Sequence, residues 1–373
     1  MPVSSIAASP VVLLLWVLAR NRTTAFLSFF PYMIVAGRDV PVVIARYTGL
    51  DTSIGWAIVL NYSALISALT LLGWHIQLSR RMLGMMVVMV LLTLPPAGSL
   101  IYASPLTGAG YWFPGSGSAG LLLTVLAIIC AALASEKKST PAILALIACL
   151  VTSILSHSTF DEPNSSRIKA IQTSLGVYPI NLDEQWERQF KLLEIARKGL
   201  ASEAEIVVLP EEVAGVMQPR FEWMWLDMGA EYAKKNKTLL VGKDVMINPS
   251  GKRLKNALVG YGKHPQLAIA SAPVPIGSWK PWVSQRELHF PANWFGSASI
   301  KLDHGHLNIF FCWEELMMWP WLWSSILNPD PIATITVVNH WFAEGLSITD
   351  SQQRSASSMA KLYGWQWMRS VNR

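Results

Sequence analysis

The sequence predicts a multi-span helical membrane region followed by a layered α/β domain. Three observations carry that expectation. Six apolar runs crowd residues 1–156. The charged share is 14% with a mean hydropathy of +0.34, against roughly 25% charged residues in a soluble domain. From about residue 165 onward, short β-branched segments alternate with amphipathic ones. The division falls at 1–160 for the membrane domain and 161–373 for the α/β domain.

The apolar runs lie at about 6–19, 24–37, 54–74, 82–102, 119–134 and 141–156, giving about six expected spans. A helix needs about 20 apolar residues to cross a bilayer. The third and fourth runs reach that length, the others are shorter or interrupted, and Pro10 and Pro31 break the first two. No basic residue precedes the first run and no small-residue cleavage site follows it before Arg20, so it reads as a span, not a signal peptide. Eight basic residues stand against three acidic ones in 1–156, whereas the remainder holds 22 and 21. The basic pairs Arg20 with Arg22, Arg80 with Arg81 and Lys137 with Lys138 follow runs one, three and five, which places those linkers in the cytoplasm. The α/β domain is then expected in the periplasm of a Gram-negative cell, anchored in the inner membrane. Trp16, Trp56, Trp74 and Trp112 sit near span ends, where indole rings favour the membrane interface. With no block of like charge, direct nucleic-acid binding is excluded. There is no glycine-rich phosphate loop either.

In the second region RIKAIQTSL reads as a strand, and LDEQWERQFKLLEIARKGL has Trp186, Phe190, Leu193, Ile195 and Leu200 at helical spacing. EIVVLPEE is a short strand ended by Pro210, and WMWLDMGAEYAKKNK is a second amphipathic helix. TLLVGKDVM and LKNALVGYG flank NPSGKR as a hairpin. SIKLDHGHLNIFFC and IATITVVNHWF are strand-like, and MAKLYGWQWMRSV reads as a final helix. His304 and His306 with Asp303 read as a turn, not a metal site, and neither a metal nor another cofactor is expected. The cluster WEELMMWPWLWSS fits either a lipid-facing entrance or packing against the membrane domain.

Cys130 and Cys149 lie in apolar runs, whereas Cys312 ends the strand-like HLNIFFC just before Trp313, Glu314 and Glu315. A thiol at a strand end backed by acids is where an α/β domain places a nucleophile. The alternative is an inert, buried small hydrophobe. Glu211 and Glu212, at the end of another strand, read on their own as an exposed helix N-terminus, where acids are favourable.

The succession VVLPEE, KNALVGYG, PVPIG, NIFFCWEE and VVNHWF, spread over about 200 residues, resembles the carbon-nitrogen hydrolase (nitrilase) superfamily. With a polytopic region in front, the chain is similar to the TraB-type conjugal transfer proteins and, more distantly, to the apolipoprotein N-acyltransferases. The resemblance implies an αββα sandwich and a Glu, Lys, Cys catalytic set acting through a thioester. It also implies membrane lipids, a lipid-linked or peptide-like substrate and conjugative transfer proteins as partners. Glu211 matches the family glutamate and Cys312 the family cysteine. Trp313 would lend its backbone N–H to an oxyanion, and His340, after Asn339 in the matched VVNHWF, would line the pocket or else serve as a hydrogen-bonded structural histidine. The family lysine, however, falls on Ala270, and the family's second glutamate falls on Ser278. Lys280 is the expected substitute cation, with Lys263 as the other nearby candidate. A set that has lost one member can lose most of its rate. The alternative function is therefore a catalytically degenerate docking component of the transfer apparatus. Relatives also continue past the segment matching RSVNR, so either the sheet is completed differently here or the domain is clipped and a missing strand exposes a sheet edge.

Overall fold

The computed structural model describes residues 4–161, 167–247, 253–275, 278–279 and 290–373. The chain divides into two compact units. One comprises Met1–Glu162 together with Leu316–Leu322 and Gly345–Trp365; the other comprises Pro163–Glu315, Trp323–Glu344 and Gln366–Arg373. The first unit thus takes in two later segments that lie beyond a boundary at 160.

All six apolar runs become helical, but with unequal lengths. Thr52–Gly73, Ser118–Lys137 and Thr140–Thr159 are long and apolar enough to cross a membrane. A fourth crossing arises if Arg22–Ala36 and Val40–Thr48, bent by 44°, form one broken span. The fourth run, which the sequence makes long enough, contracts to Leu78–Thr93. Its 16 residues span about 24 Å, short of the bilayer's hydrocarbon core of about 30 Å. Pro95 and Pro96 follow directly and prevent its extension.

Packing in this unit redirects several residues from their expected roles. Trp16 is buried and donates to the Thr70 hydroxyl at 3.1 Å, so it is a core residue and not an interfacial anchor. Arg81 is buried as well. Its guanidinium donates to the carbonyls of Val17, Ala19, His75 and Ile76, satisfying acceptors at the end of the Val11–Leu18 helix. Gly110 passes so close to Ser358 that a Cβ would lie 1.7 Å from its carbonyl oxygen. In the same unit Trp321 is buried and stacks on Trp365, and Met317 and Met318 are also buried. Within Leu316–Leu322, then, the aromatic cluster packs inward and does not form an open entrance.

The second unit holds ten described strands. They are β1 Ile168–Ala170, β2 Gln172–Thr173, β3 Ile206–Val208, β4 Thr238–Met246, β5 Leu254–Gly262, β6 Leu267–Ile269, β7 Ser299–Leu302, β8 Gly305–Phe311, β9 Ala333–Asn339 and β10 Trp367–Asn372. They form two five-stranded sheets, ordered β1-β3-β4-β5-β6 and β2-β10-β9-β8-β7. Period-two alternation distributes the apolar side chains between layers. Val207, Leu239 and Val241 pack with Leu192, Ala196, Trp225 and Tyr232 of the helices Leu182–Leu200 and Pro219–Lys234. Val208, Leu240 and Leu258 point the other way and join Leu307, Ile309, Ile335 and Val337 of the second sheet. Both faces of β3 and of residues Leu239–Val241 in β4 are therefore dry, which accounts for the apolar runs at those positions. The fold class is the expected one, an α-helical membrane region followed by an αββα-type domain.

Two elements differ from expectation. RIKAIQTSL breaks at Ile171, so that β1 pairs with β3 in one sheet and β2 with β10 in the other. The predicted final helix stops at Tyr363, where Gly364 turns left-handed at φ 69°, and the next residues form β10. β10 is paired along its whole length with β9 and at Val371 and Asn372 with β2, so at its end the sheet is completed by β2.

Candidate functional site

Glu211 owes its position to a close approach of two backbones. After β3 the chain stays beside β4, with Leu209 N–H donating to Leu240 O at 2.8 Å and Ala214 N–H donating to Gly242 O at 3.1 Å. A Cβ on Gly242 would lie 1.9 Å from Pro210 O, so only glycine admits this path. Glu211 is thereby buried, at 5% exposure, and its Oε1 accepts from Asn256 Nδ2 at 2.8 Å. Burial, followed by the neighbouring Glu212 and then Asp244 and Glu314, pushes its acid well above the usual carboxylate range, and the Asn256 hydrogen bond only partly opposes this. No helix starts here. Glu212 instead takes φ 52° in a turn, and its Oε2 accepts from Asn339 Nδ2 at 3.4 Å.

Cys312 opens a tight helical turn, Cys312–Leu316, directly after β8. It is half-buried and forms no disulfide. Behind it, Glu314 is at 1% exposure and gathers four donors. Oε1 accepts from Ser271 N–H, Ser271 Oγ and Ala272 N–H at 2.8, 2.6 and 2.9 Å, and Oε2 accepts from Phe311 N–H at 2.9 Å. One carboxyl group thus pins the segment after β6 to the turn bearing the thiol. Glu315 is fully buried and is held by Arg369, whose Nε and Nη2 donate at 2.8 and 2.7 Å.

A small cavity joins these parts. Its lining includes Glu211, Asn256 and Ala270, with Phe311 and Trp313 on either side of Cys312 in the chain. The structure therefore collects the glutamate, the position of the family lysine and the residues flanking the thiol in one place. His340 does not line it. It is buried after β9, with its backbone N–H donating to Asn372 O at 2.7 Å and its ring edge-on to Phe342.

The expected cations fare differently. Lys280 lies outside the described residues. Lys263 pairs with Asp303 at 2.5 Å. Lys243 is buried but belongs to the helical face of its sheet, donating to Glu222 Oε2 at 2.7 Å and to the Tyr261 hydroxyl at 2.5 Å. Burial draws its pKa down to about 8 despite Glu222. The cavity lining instead contains Lys255, to which the sequence alone assigned no role. Burial lowers the pKa of that ammonium. Lys255 and Asn256 both stand in the matched KNALVGYG motif, but only cross-strand register shows that Asn256 sits opposite Ala270, whose N–H donates to its carbonyl at 2.9 Å. No cluster of three or more possible metal ligands occurs among the described residues.

No family model matches the chain. Among solved structures the chain is similar to a carbon-nitrogen hydrolase from Helicobacter pylori G27, at 15% identity and a TM-score of 0.39, covering 55% of this chain and 73% of that one. Two bacterial proteins resemble nearly the whole chain. It is 27% identical over 365 residues to the conjugal transfer protein TraB of Agrobacterium fabrum strain C58, covering 94% of this chain and 84% of that protein. It is 26% identical over 357 residues to a probable conjugal transfer protein TraB of Sinorhizobium fredii strain NGR234, covering 94% and 88%.

Proposed function

We propose that this chain is a nitrilase-like membrane protein of conjugal DNA transfer whose α/β domain acts as a thiol-dependent amidase or N-acyltransferase. The observation that carries this reading is the shared cavity: Glu211, Ala270 and the two neighbours of Cys312 line one wall. The similarity to two conjugal transfer proteins supports the cellular role.

In the proposed reaction, ionised Glu211 takes the Cys312 proton and the thiolate attacks an amide carbonyl carbon. A C–S bond forms and the carbonyl electron pair moves onto oxygen, where the Trp313 backbone N–H would stabilise it. As the intermediate collapses, the C–N bond breaks, and Glu211 returns the proton to the leaving amine. Water or an acceptor amine then attacks the thioester, gives its proton to Glu211, and releases the thiol after proton return. The raised pKa of Glu211 makes its ionised form a stronger base, which favours the first proton transfer. Lys280 stands as the sequence-derived cation of this site.

Orientation rests on one hairpin. Lys137 and Lys138 separate the spans Ser118–Lys137 and Thr140–Thr159. Cytoplasmic lysines send the residues after Thr159 to the opposite side, the periplasm, whatever the number of earlier crossings. The substrate is then lipid-linked or peptide-like and close to the outer surface of the inner membrane.

The test is acyl transfer from p-nitrophenyl butyrate to the detergent-solubilised protein, followed by p-nitrophenolate release and by peptide mass. The expected result is butyrylation of Cys312 ahead of Cys130 and Cys149, slowed about 100-fold or more by Glu211→Gln. No adduct at Cys312, or an adduct rate indifferent to Glu211→Gln, overturns the mechanism. A second reading, a docking component without catalysis, is favoured by the loss of the family lysine at Ala270.

A further inference from the structure

Two oxygens beside the Glu211 site lack a donor. Asp244 Oδ1 and Asn256 Oδ1 are both sealed from solvent, and neither meets a hydrogen-bond partner. A buried acceptor left unmade is costly, so the pair calls for a proton that the backbone and the neighbouring side chains do not supply. Register brings the two together. Asp244 stands directly opposite Asn256 in the antiparallel pairing of β4 with β5, and side chains so opposed leave the same face with Cβ atoms about 4.5–5.5 Å apart. By period-two alternation that face is the one from which Leu240 and Leu258 meet the second sheet, whereas Lys243 and Lys255 leave by the opposite face.

We propose that Asp244 is a positioning residue for the thiol chemistry: its carboxyl O–H donates to Asn256 Oδ1 and thereby aims the Asn256 amide N–H at Glu211. The Asn256 side chain has one NH₂ end and two acids beside it. Nδ2 donates to Glu211 Oε1 at 2.8 Å, which leaves Oδ1 as the end that Asp244 meets. Against an ionised Asp244 that arrangement is unstable, because the amide gains by turning its NH₂ to Asp244 and its oxygen to Glu211. One proton on Asp244 removes the conflict and satisfies both sealed oxygens at once. The surroundings favour that placement: burial, then the charge of Glu212, raises the Asp244 acid well above the usual carboxylate range. Among the described residues no ion pair reaches Asp244 to hold it ionised. Burial and Glu212 are also the two largest causes of the raised acid at Glu211, and neither requires a charge on Asp244. Of these neighbouring acids, then, Asp244 keeps a proton while Glu211 is free to exchange one.

This inference rests on the thiol chemistry proposed above, and two readouts on the detergent-solubilised full chain separate them. The first is infrared. The difference spectrum of parent minus Asp244→Asn at pH 7 is expected to show the C=O stretch of a protonated carboxyl group, and carboxylate bands in its place overturn the proposal. The second is the pH profile of Cys312 butyrylation by p-nitrophenyl butyrate. Asp244→Asn keeps a donor in its NH₂ group and changes no charge, so its rate is expected within about threefold of the parent and its acid limb within about 0.3 unit. Asp244→Ala offers no donor, releases the Asn256 amide to turn, and is expected to slow butyrylation about tenfold. An acid limb that moves down by about one unit in Asp244→Asn shows an ionised Asp244 and overturns the proposal. So does a parental rate in Asp244→Ala, or an equal loss in both variants. If Asp244→Ala does not accumulate in the membrane, the spectrum and the Asp244→Asn limb decide alone. Failure of the enzymatic reading looks different: Cys312 of the parent would take up no butyryl group while the difference spectrum still showed the protonated acid.

Discussion

The turn bearing Glu211 and the turn bearing Cys312 each bury a glutamate, yet they treat it in opposite ways. Glu314 receives four hydrogen bonds from two segments, so its carboxylate acts as a staple. Glu211 is nearly as buried but has one described donor, Asn256, and faces other acids. Burial raises the acid of both above the ordinary carboxylate range, but four donors oppose the rise at Glu314, whereas at Glu211 the neighbouring acids add to it and Asn256 only partly opposes it. The second condition is what general-base catalysis requires.

The largest expected effect that probes this contrast is on chemistry. Glu211→Gln is expected to slow Cys312 acylation by about 100-fold to 10,000-fold while raising the melting temperature at neutral pH, because it removes a buried charge. A variant that loses both stability and acylation would make Glu211 a staple like Glu314 and erase the contrast. Next comes Arg369→Ala, which leaves Glu315 buried without its bidentate partner and is expected to destabilise the α/β domain by about 3–5 kcal/mol in a urea titration. A loss below about 1 kcal/mol would remove the support assigned to the thiol's turn. Glu314→Gln is smaller, at about 1–3 kcal/mol, since the new amide NH₂ would meet the donors at Phe311 or Ser271. Unlike Glu211→Gln, it is expected to lower the melting temperature.

The smallest effect is a pH slope. The folded-state pKa of Glu211 is raised, so the folded protein holds that proton more tightly than the unfolded chain. The associated stability is complete below the ordinary value of 4.5 and disappears as pH rises through the raised one. Melting temperature is expected to fall across that interval in the parent and to fall less steeply in Glu211→Gln. Equal slopes in the two proteins would contradict the direction of the shift.

Much of this arrangement is legible along the chain. Leu182–Leu200 and the strands TLLVGKDVM and LKNALVGYG coincide with their sequence patterns, because local periodicity and long-range packing agree there. β10 reads as helix because Trp365, Trp367 and Met368 extend the apolar spacing of the helix before Gly364, and only pairing with β9 and β2 makes it a strand. The break at Ile171 is similarly invisible, since one extended segment serves two sheets. Glu211 and Cys312 are legible because each ends a strand with its own short motif. Asn256 is not, because its relation to Ala270 exists only across a ladder. Arg81 reads as a loop charge until the carbonyls around it are placed.

The central claim is that the sulfur of Cys312 performs chemistry on which DNA transfer depends. The direct measurement is conjugation frequency from donors carrying Cys312→Ser, with membrane levels of the protein matched to the parent. The account predicts a fall to the level of donors lacking the protein. Transfer at the parental frequency would contradict it and leave the docking role in its place.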